Sequence, residues 1–406
     1  VIVAALPLRL WITNGYINSV SILEIAIWIV FAWILIQSIN KKLVIGPRLI
    51  LYAMGVPIII ATLSLLWTEN VYSTLKVIFN YSTAFVGYLL IINLFRKESS
   101  KYILTCVSLF TIIIIFTAVI FWSRLPIVSL ISEYSLQGPL LSKSSLHPWA
   151  FYRMDNPFIG KSNDFAPVLA LYMFLFIGVT RATRKKFHYT LAILCGISLI
   201  LTLSRGAIIV SIGLIFILIF KNMSLRKIAV TIITFIFIGV VINKFITEIE
   251  KSEGVNIINY RLRADYLESR FERQKHALQT IRNNPLLGQG GGNYIGKEID
   301  HIDSAYHNTY LQQISAYGLI FGSFMIICLL IVPYFFFKYR RYEKSIRVIS
   351  GSIGFSIISF LLICTNQTAN EALVPSLMFR LFIGFSIALI SAIYREQVSC
   401  IQINAE

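Results

Sequence analysis

Phe165–Phe220 reads FAPVLALYMFLFIGVTRATRKKFHYTLAILCGISLILTLSRGAIIVSIGLIFILIF, three apolar runs around one basic cluster. The runs are Phe165–Val179, Tyr189–Leu203 and Ala207–Phe220, and the cluster is Arg181, Arg184, Lys185 and Lys186. A backbone in hydrocarbon must satisfy its own N–H and C=O groups, so an apolar run there is helical. About 17–25 such residues cross a bilayer, which puts these three at the short end of the range.

The same pattern extends in both directions. Further runs lie at Val20–Ile39, Leu49–Trp67, Tyr72–Phe95, Tyr102–Trp122, Ile228–Phe245, Tyr310–Phe337, Val348–Cys364 and Leu377–Tyr394. Val1–Leu8 reads as the outer end of one more. The 406 residues are 57% hydrophobic and 14% charged, far from the balance of a soluble domain. The expected fold is therefore all-α: a polytopic integral membrane protein of about twelve transmembrane helices. The chain opens on Val1 with no signal-peptide pattern, so an initiator Met and some upstream residues are expected before it.

Every second short loop is basic. One set holds Lys41, Lys42 and Arg48; Arg96, Lys97 and Lys101; the 181–186 cluster; Lys221, Arg226 and Lys227; and Lys338, Arg340, Arg341, Lys344 and Arg347. Basic loops stay on the cytoplasmic side, so both termini are expected there. The net charge of +17 is then a topology signal, with no nucleic-acid footprint in it. Cys106, Cys195, Cys328 and Cys364 fall in expected helices and Cys400 in a cytoplasmic tail, without a C-x-x-C pair. They read as apolar packers, and neither a disulfide framework nor a metal site is expected.

Two long loops fall on the opposite, outer side, at about 123–163 and 247–305, and long loops are commonly functional. They divide the chain into N-terminal helices over 1–246, a large, partly helical outer loop over 247–305, and C-terminal helices with a short tail over 306–406. Leu262–Arg282 reads as the helix in that loop. Leu267, Phe271, Leu278 and Ile281 share one face; Arg263, Arg270, Arg273 and Lys275 lie largely elsewhere. Such a helix lies along the membrane surface, caps a cavity or simply packs.

Charges within spans are costly and mark functional positions. Glu24, Lys76, Arg205, Lys244 and Arg380 all fall toward outer helix ends, and the two lysines can snorkel to the interface. Arg205 sits in Ser204-Arg205-Gly206-Ala207, at a tight break between two short spans. A guanidinium there stays charged and offers a planar fork suited to phosphate, although an arginine capping carbonyls would look the same. A second constellation runs from Arg270 to Asn284-Pro285-Leu286-Leu287-Gly288-Gln289-Gly290-Gly291-Gly292. Its glycines lack the Gly-Lys-Ser/Thr ending of a phosphate-binding loop and read as a turn that lets backbones approach. The third, Asp303 to Leu311, puts His307-Asn308 at the mouth of the next span. A histidine there can act as a general base or merely bond a headgroup. His147, His188, His276 and His301 carry no such pattern, and no ligand set has metal spacing.

These three constellations, in this order, resemble the O-antigen ligase and O-antigen polymerase superfamily. The residues that carry the resemblance are Ser204-Arg205-Gly206-Ala207, Arg270 with Asn284-Pro285-Leu286-Leu287-Gly288, His307-Asn308, Tyr310-Leu311 and Tyr317-Gly318, within Cys195–Ile327. Two positions depart from it: one extra residue precedes Gly322 after Gly318, and Gln274 stands where an aromatic is common. The resemblance implies an inner-membrane enzyme with a periplasmic site, transferring glycan from undecaprenyl pyrophosphate to lipid A–core with inversion. No metal and no cofactor are implied. Arg205 and Arg270 would hold the pyrophosphate and His307 would take or orient the acceptor's proton. Asn308, Arg153 and Arg380 would be further substrate contacts. A polymerase would use the same donor and extend another lipid-linked glycan. A transporter or flippase is a third reading, but neither an internal repeat nor an acidic relay is visible.

Overall fold

A computed structural model describes residues 22–38, 43–122, 154, 156, 159, 162–220, 264–292, 308–339, 343–366 and 373–403. Among them the long elements are all α-helices: α1 Ile22–Ser38, α2 Arg48–Leu63, α3 Val71–Leu94, α4 Ser100–Trp122, α5 Ser162–Thr183, α6 Lys186–Leu201, α7 Arg205–Phe220, α8 Ala264–Asn283, α9 Thr309–Lys338, α10 Lys344–Ile363 and α11 Leu373–Ile403. Ten of the expected spans fall on these helices, nine of them to within four residues at each end and the last, expected to end at Tyr394, running on to Ile403; 228–245 and 1–8 lie outside the described residues. Among the described residues seven helices are long and apolar enough to cross a membrane, and α6 and α7 are shorter apolar ones. Cys400 belongs to α11, which runs on to Ile403, and not to a separate tail.

Two pairs form the heart of the bundle, α5 packed antiparallel to α10 and α3 packed parallel to α11. Lipid tails are as apolar as leucine, so such pairs gain stability from close backbone approach at small residues. Gly178 of α5 meets Ser352 of α10, where a Cβ on the glycine would lie 2.2 Å from the serine Cβ. Ser352, Ser356 and Ser359 share one buried face of α10, and Ser350, on the opposite side, donates its hydroxyl to the Phe336 carbonyl of α9. In the other pair, Gly87 opens space for Leu377 and Gly384 for Ile91. Ile29, Ile59, Ile209 and Ile217 point outward, as a surface meeting lipid requires.

The described parts of two basic loops, around Ser100 and Ser345, meet the end of α11. Arg395 of α11 donates to the Glu98 carbonyl, Glu396 accepts from the Ser100 N–H and hydroxyl, and Gln397 donates to Ser345. The starts of α3, α5, α7, α9 and α11 therefore lie at the other end, away from these loops.

The expected span 310–337 is not one helix. Gly318 takes φ 73° and ψ 177°, which breaks α9 into 309–317 and 319–338. In a continuous helix residues 313 and 322 would be about 13 Å apart along the axis. Here a Cβ on Gly322 would lie 2.7 Å from the Gln313 oxygen, so the first segment folds back along the second.

Candidate functional site

The break at Gly318 frees backbone groups that a helix would pair internally, and buried groups of that kind must find partners. The segment 285–290 supplies them. Gln289 N–H donates to the Ser315 carbonyl at 3.1 Å, Gly290 N–H to the Ala316 carbonyl at 2.8 Å, and Leu319 N–H to the Pro285 carbonyl at 2.8 Å. Side chains would block this contact. A Cβ on Gly318 would lie 2.0 Å from the Leu286 oxygen, and a Cβ on Gly288 would lie 2.5 Å from the Ala316 carbonyl. The glycine cluster is thus a docking strand for a broken helix, in keeping with the reading of a turn that lets backbones approach.

The cluster is tied to α3 as well. Gly291 N–H donates to the Ser64 hydroxyl at 3.2 Å, and the Thr74 hydroxyl bonds the Gly291 carbonyl at 2.5 Å and lies 2.8 Å from the Thr68 hydroxyl. Sequence reasoning missed this cradle of Ser64, Thr68 and Thr74. Its only trace is hydroxyl residues crowded between two apolar runs.

Arg205 is the first residue of α7 and is exposed. The break before it spans Thr202, Leu203 and Ser204, and Leu203 takes φ 52°, a left-handed conformation that costs a branched side chain energy. The turn is held by Thr202 hydroxyl to Leu199 carbonyl at 2.6 Å, Leu203 N–H to Ile200 carbonyl at 2.9 Å, and Ser204 N–H to Thr202 hydroxyl at 3.2 Å. Met154 N–H donates to the Leu201 carbonyl at 3.0 Å, which brings the end of the first long loop to the same turn. Arg153 itself lies outside the described residues.

Asn308 caps α9. Its side-chain oxygen accepts from the N–H groups of Tyr310 and Leu311 at 3.0 and 3.1 Å, satisfying donors that a helix start leaves open. That oxygen already serves the helix, so a substrate contact would use the amide NH2. The Tyr310 hydroxyl donates to the Leu361 carbonyl at 2.7 Å, and the Thr309 hydroxyl bonds the Cys364 thiol. These bonds fix the start of α9 against the end of α10. His307, the residue before the cap, lies outside the described residues. Arg270 belongs to α8, but its side chain is outside them too.

α8 packs against α9 through Ala277 and Thr280, both buried. Phe271 and Leu278, of the apolar face read in the sequence, point outward and are 69% and 54% exposed. Leu286 and Leu287 are exposed just beyond. An amphipathic helix that turns large apolar residues away from its own bundle suits a membrane interface.

Arg380 lies about two turns into α11 from the end that carries these features, and is 2% exposed. Its Nη1 donates to the Ser376 hydroxyl, and its Cζ lies 5.1 Å from the centre of the Tyr81 ring. The Tyr81 hydroxyl accepts from Gln313 Nε2 at 2.9 Å, which links α3, α11 and the folded-back segment of α9. Arg380 Nε has no hydrogen-bond partner, and among the described residues no carboxylate pairs with this guanidinium. Tyr81 and Gln313 were not foreseen, since each looks like an ordinary helix position until the bundle is assembled. Among the described residues no three His, Cys, Asp or Glu side chains come together as a ligand group.

A helical bundle of this composition, with a broken helix and buried cationic chemistry at one end, is a multi-pass membrane protein. Residues 190–327 match the family model described as O-antigen ligase, which supports the O-antigen ligase and polymerase superfamily. The match takes in α6, α7, α8 and α9 as far as Ile327, hence Arg205, Arg270, His307, Asn308 and the Gly318 break. Members of that family are glycosyltransferase-like enzymes that handle polysaccharide and lipid substrates. No curated protein matches the chain.

Proposed function

We propose that the protein is an O-antigen ligase, a metal-independent inverting glycosyltransferase of the bacterial inner membrane whose site faces the periplasm. The donor is a glycan on undecaprenyl pyrophosphate and the acceptor is a sugar hydroxyl of lipid A–core. The acceptor oxygen forms a bond to the anomeric carbon from the face opposite the leaving group. The bond between that carbon and the pyrophosphate oxygen breaks, and undecaprenyl pyrophosphate departs with the electron pair. His307 takes the proton of the acceptor hydroxyl or orients it. Arg205 and Arg270 hold the pyrophosphate and oppose the charge that grows on it, an effect strongest where water is scarce.

The observation that carries this reading is Arg380. A guanidinium at 2% exposure, whose partners among the described residues are a hydroxyl and a ring, is an expensive feature in a membrane helix. A multiply charged anion arriving at this end would compensate it, and a lipid-linked pyrophosphate is such an anion. Arg153 and Asn308 are further contacts to the glycan or phosphate. The interfacial face of α8, Phe271 and Leu278, suits a site whose donor is itself a lipid.

Purified protein supplied with undecaprenyl-pyrophosphate glycan, with and without lipid A–core, tests the proposal. Glycan joined to lipid A–core only when that acceptor is present is the result a ligase gives. A ladder of longer glycans from the donor alone would make the protein a polymerase. No product under either condition would turn the reading toward a transporter.

A further inference from the structure

A cleft of about 560 Å3 opens at the basic end of the bundle, remote from Arg205, Arg380 and Asn308. Its size is within the range of small-molecule sites. One wall is the stretch before α2, from Leu43 to Pro47. This stretch is held in place by the Asn93 side chain, which accepts from Val44 N–H at 3.0 Å and donates to the Val44 carbonyl at 2.8 Å. Gly46 takes φ 76° there, and a Cβ would lie 2.4 Å from the Tyr88 hydroxyl. The other walls are apolar, built by Ile92 of α3 and Phe95 just after it, Phe335 of α9, and Ile387 and Ile390 of α11.

Two guanidiniums, Arg96 and Arg395, also line it. Arg395 is exposed and donates through Nη2 to the Glu98 carbonyl at 3.0 Å, an oxygen without formal charge. The neighbouring carboxylate is engaged elsewhere: Glu396 accepts from the Ser100 N–H at 2.7 Å and its hydroxyl at 2.6 Å, capping the start of α4. Arg395 therefore keeps donors and a full positive charge at the rim of an apolar cleft. Hydrocarbon walls with two cations at the basic, membrane-facing end are complementary to one kind of molecule, an amphiphile with an anionic head.

We propose that this cleft binds an anionic glycerophospholipid of the adjoining leaflet. The phosphate lies between Arg96 and Arg395, and the upper acyl carbons rest on Ile92, Phe335, Ile387 and Ile390. The site is independent of glycan transfer and does not rest on that reading.

Native mass spectrometry of the delipidated full chain in detergent, titrated with phosphatidylglycerol or phosphatidylcholine, tests it. Two guanidiniums facing one phosphate predict a preference of about thirtyfold for phosphatidylglycerol. The preference should vanish in Arg96→Gln/Arg395→Gln and persist in Arg181→Gln/Lys186→Gln, which removes equal charge elsewhere at that end. Ser391→Trp, an exposed position on the wall, should lower phosphatidylglycerol occupancy with the melting temperature unchanged. If the double variant does not fold, that single variant decides. Equal binding of the two lipids, or a preference that survives both cleft variants, overturns the proposal. Displacement of phosphatidylglycerol by millimolar inorganic phosphate would overturn the lipid assignment and leave a free-anion site.

Discussion

Leu319 and Pro285, far apart in sequence, share a backbone hydrogen bond of 2.8 Å across the break in α9. The bond joins the large loop to the helix that follows His307, so the loop and the helix mouth hold one another in place. Gly318 makes it possible, because its φ of 73° and ψ of 177° are available in practice to glycine alone. Gly318→Ala should therefore destabilise the protein by about 1–3 kcal/mol and impair transfer. Gly213, with nothing within 4 Å of its would-be Cβ, provides the control. Gly213→Ala should be neutral or stabilising by up to about 1 kcal/mol. Thermal unfolding in detergent compares the two.

Arg380→Met separates binding from folding. Removing a buried cation that has no counter-charge among the described residues should leave stability unchanged or raise it by about 1–4 kcal/mol. Transfer should fall by at least about tenfold, since one charge-assisted contact to phosphate disappears. Arg380→Met that keeps full turnover would remove Arg380 from the site.

Leu203 holds a left-handed conformation just before Arg205. Leu203→Gly should relieve about 1–2 kcal/mol of that strain, offset in part by the greater freedom of glycine in the unfolded chain. The account expects a protein no less stable than the parent but slower in transfer, because Arg205 is no longer fixed at the helix start. Melting temperature and turnover, measured on one preparation, would show the two moving apart.

Thr74 anchors Gly291 from α3. Thr74→Val keeps the shape, breaks the 2.5 Å bond and leaves a buried carbonyl short of a partner, which costs about 1–3 kcal/mol. Faster hydrogen exchange at 288–292 is the expected signature, with 346–363 in α10 unaffected.

Hydropathy made the spans legible, since a bilayer imposes length and apolarity on each helix separately. The break at Gly318 was not legible. Ser315-Ala316-Tyr317-Gly318-Leu319-Ile320 reads as continuous helix, and the strand that unmakes it lies some thirty residues upstream. Arg380 was legible as a charge within a span, but its setting depends on Tyr81 and Gln313, brought in by two other helices. The glycine cluster could be read as a close-approach turn, whereas its partners Ser64 and Thr74 left only hydroxyl residues crowded between two apolar runs. Among the described residues seven helices are long and apolar enough to cross a membrane and two are shorter apolar ones; the expected spans at 1–8 and 228–245 lie outside those residues.

The central claim is that Arg205, Arg270 and His307 transfer glycan from a lipid pyrophosphate. The most direct measurement is glycan transfer by purified Arg205→Ala, Arg270→Ala and His307→Ala, each with its melting temperature. The account predicts that all three lose transfer by at least about a hundredfold and melt within a few degrees of the parent. Transfer retained by all three folded variants would contradict it.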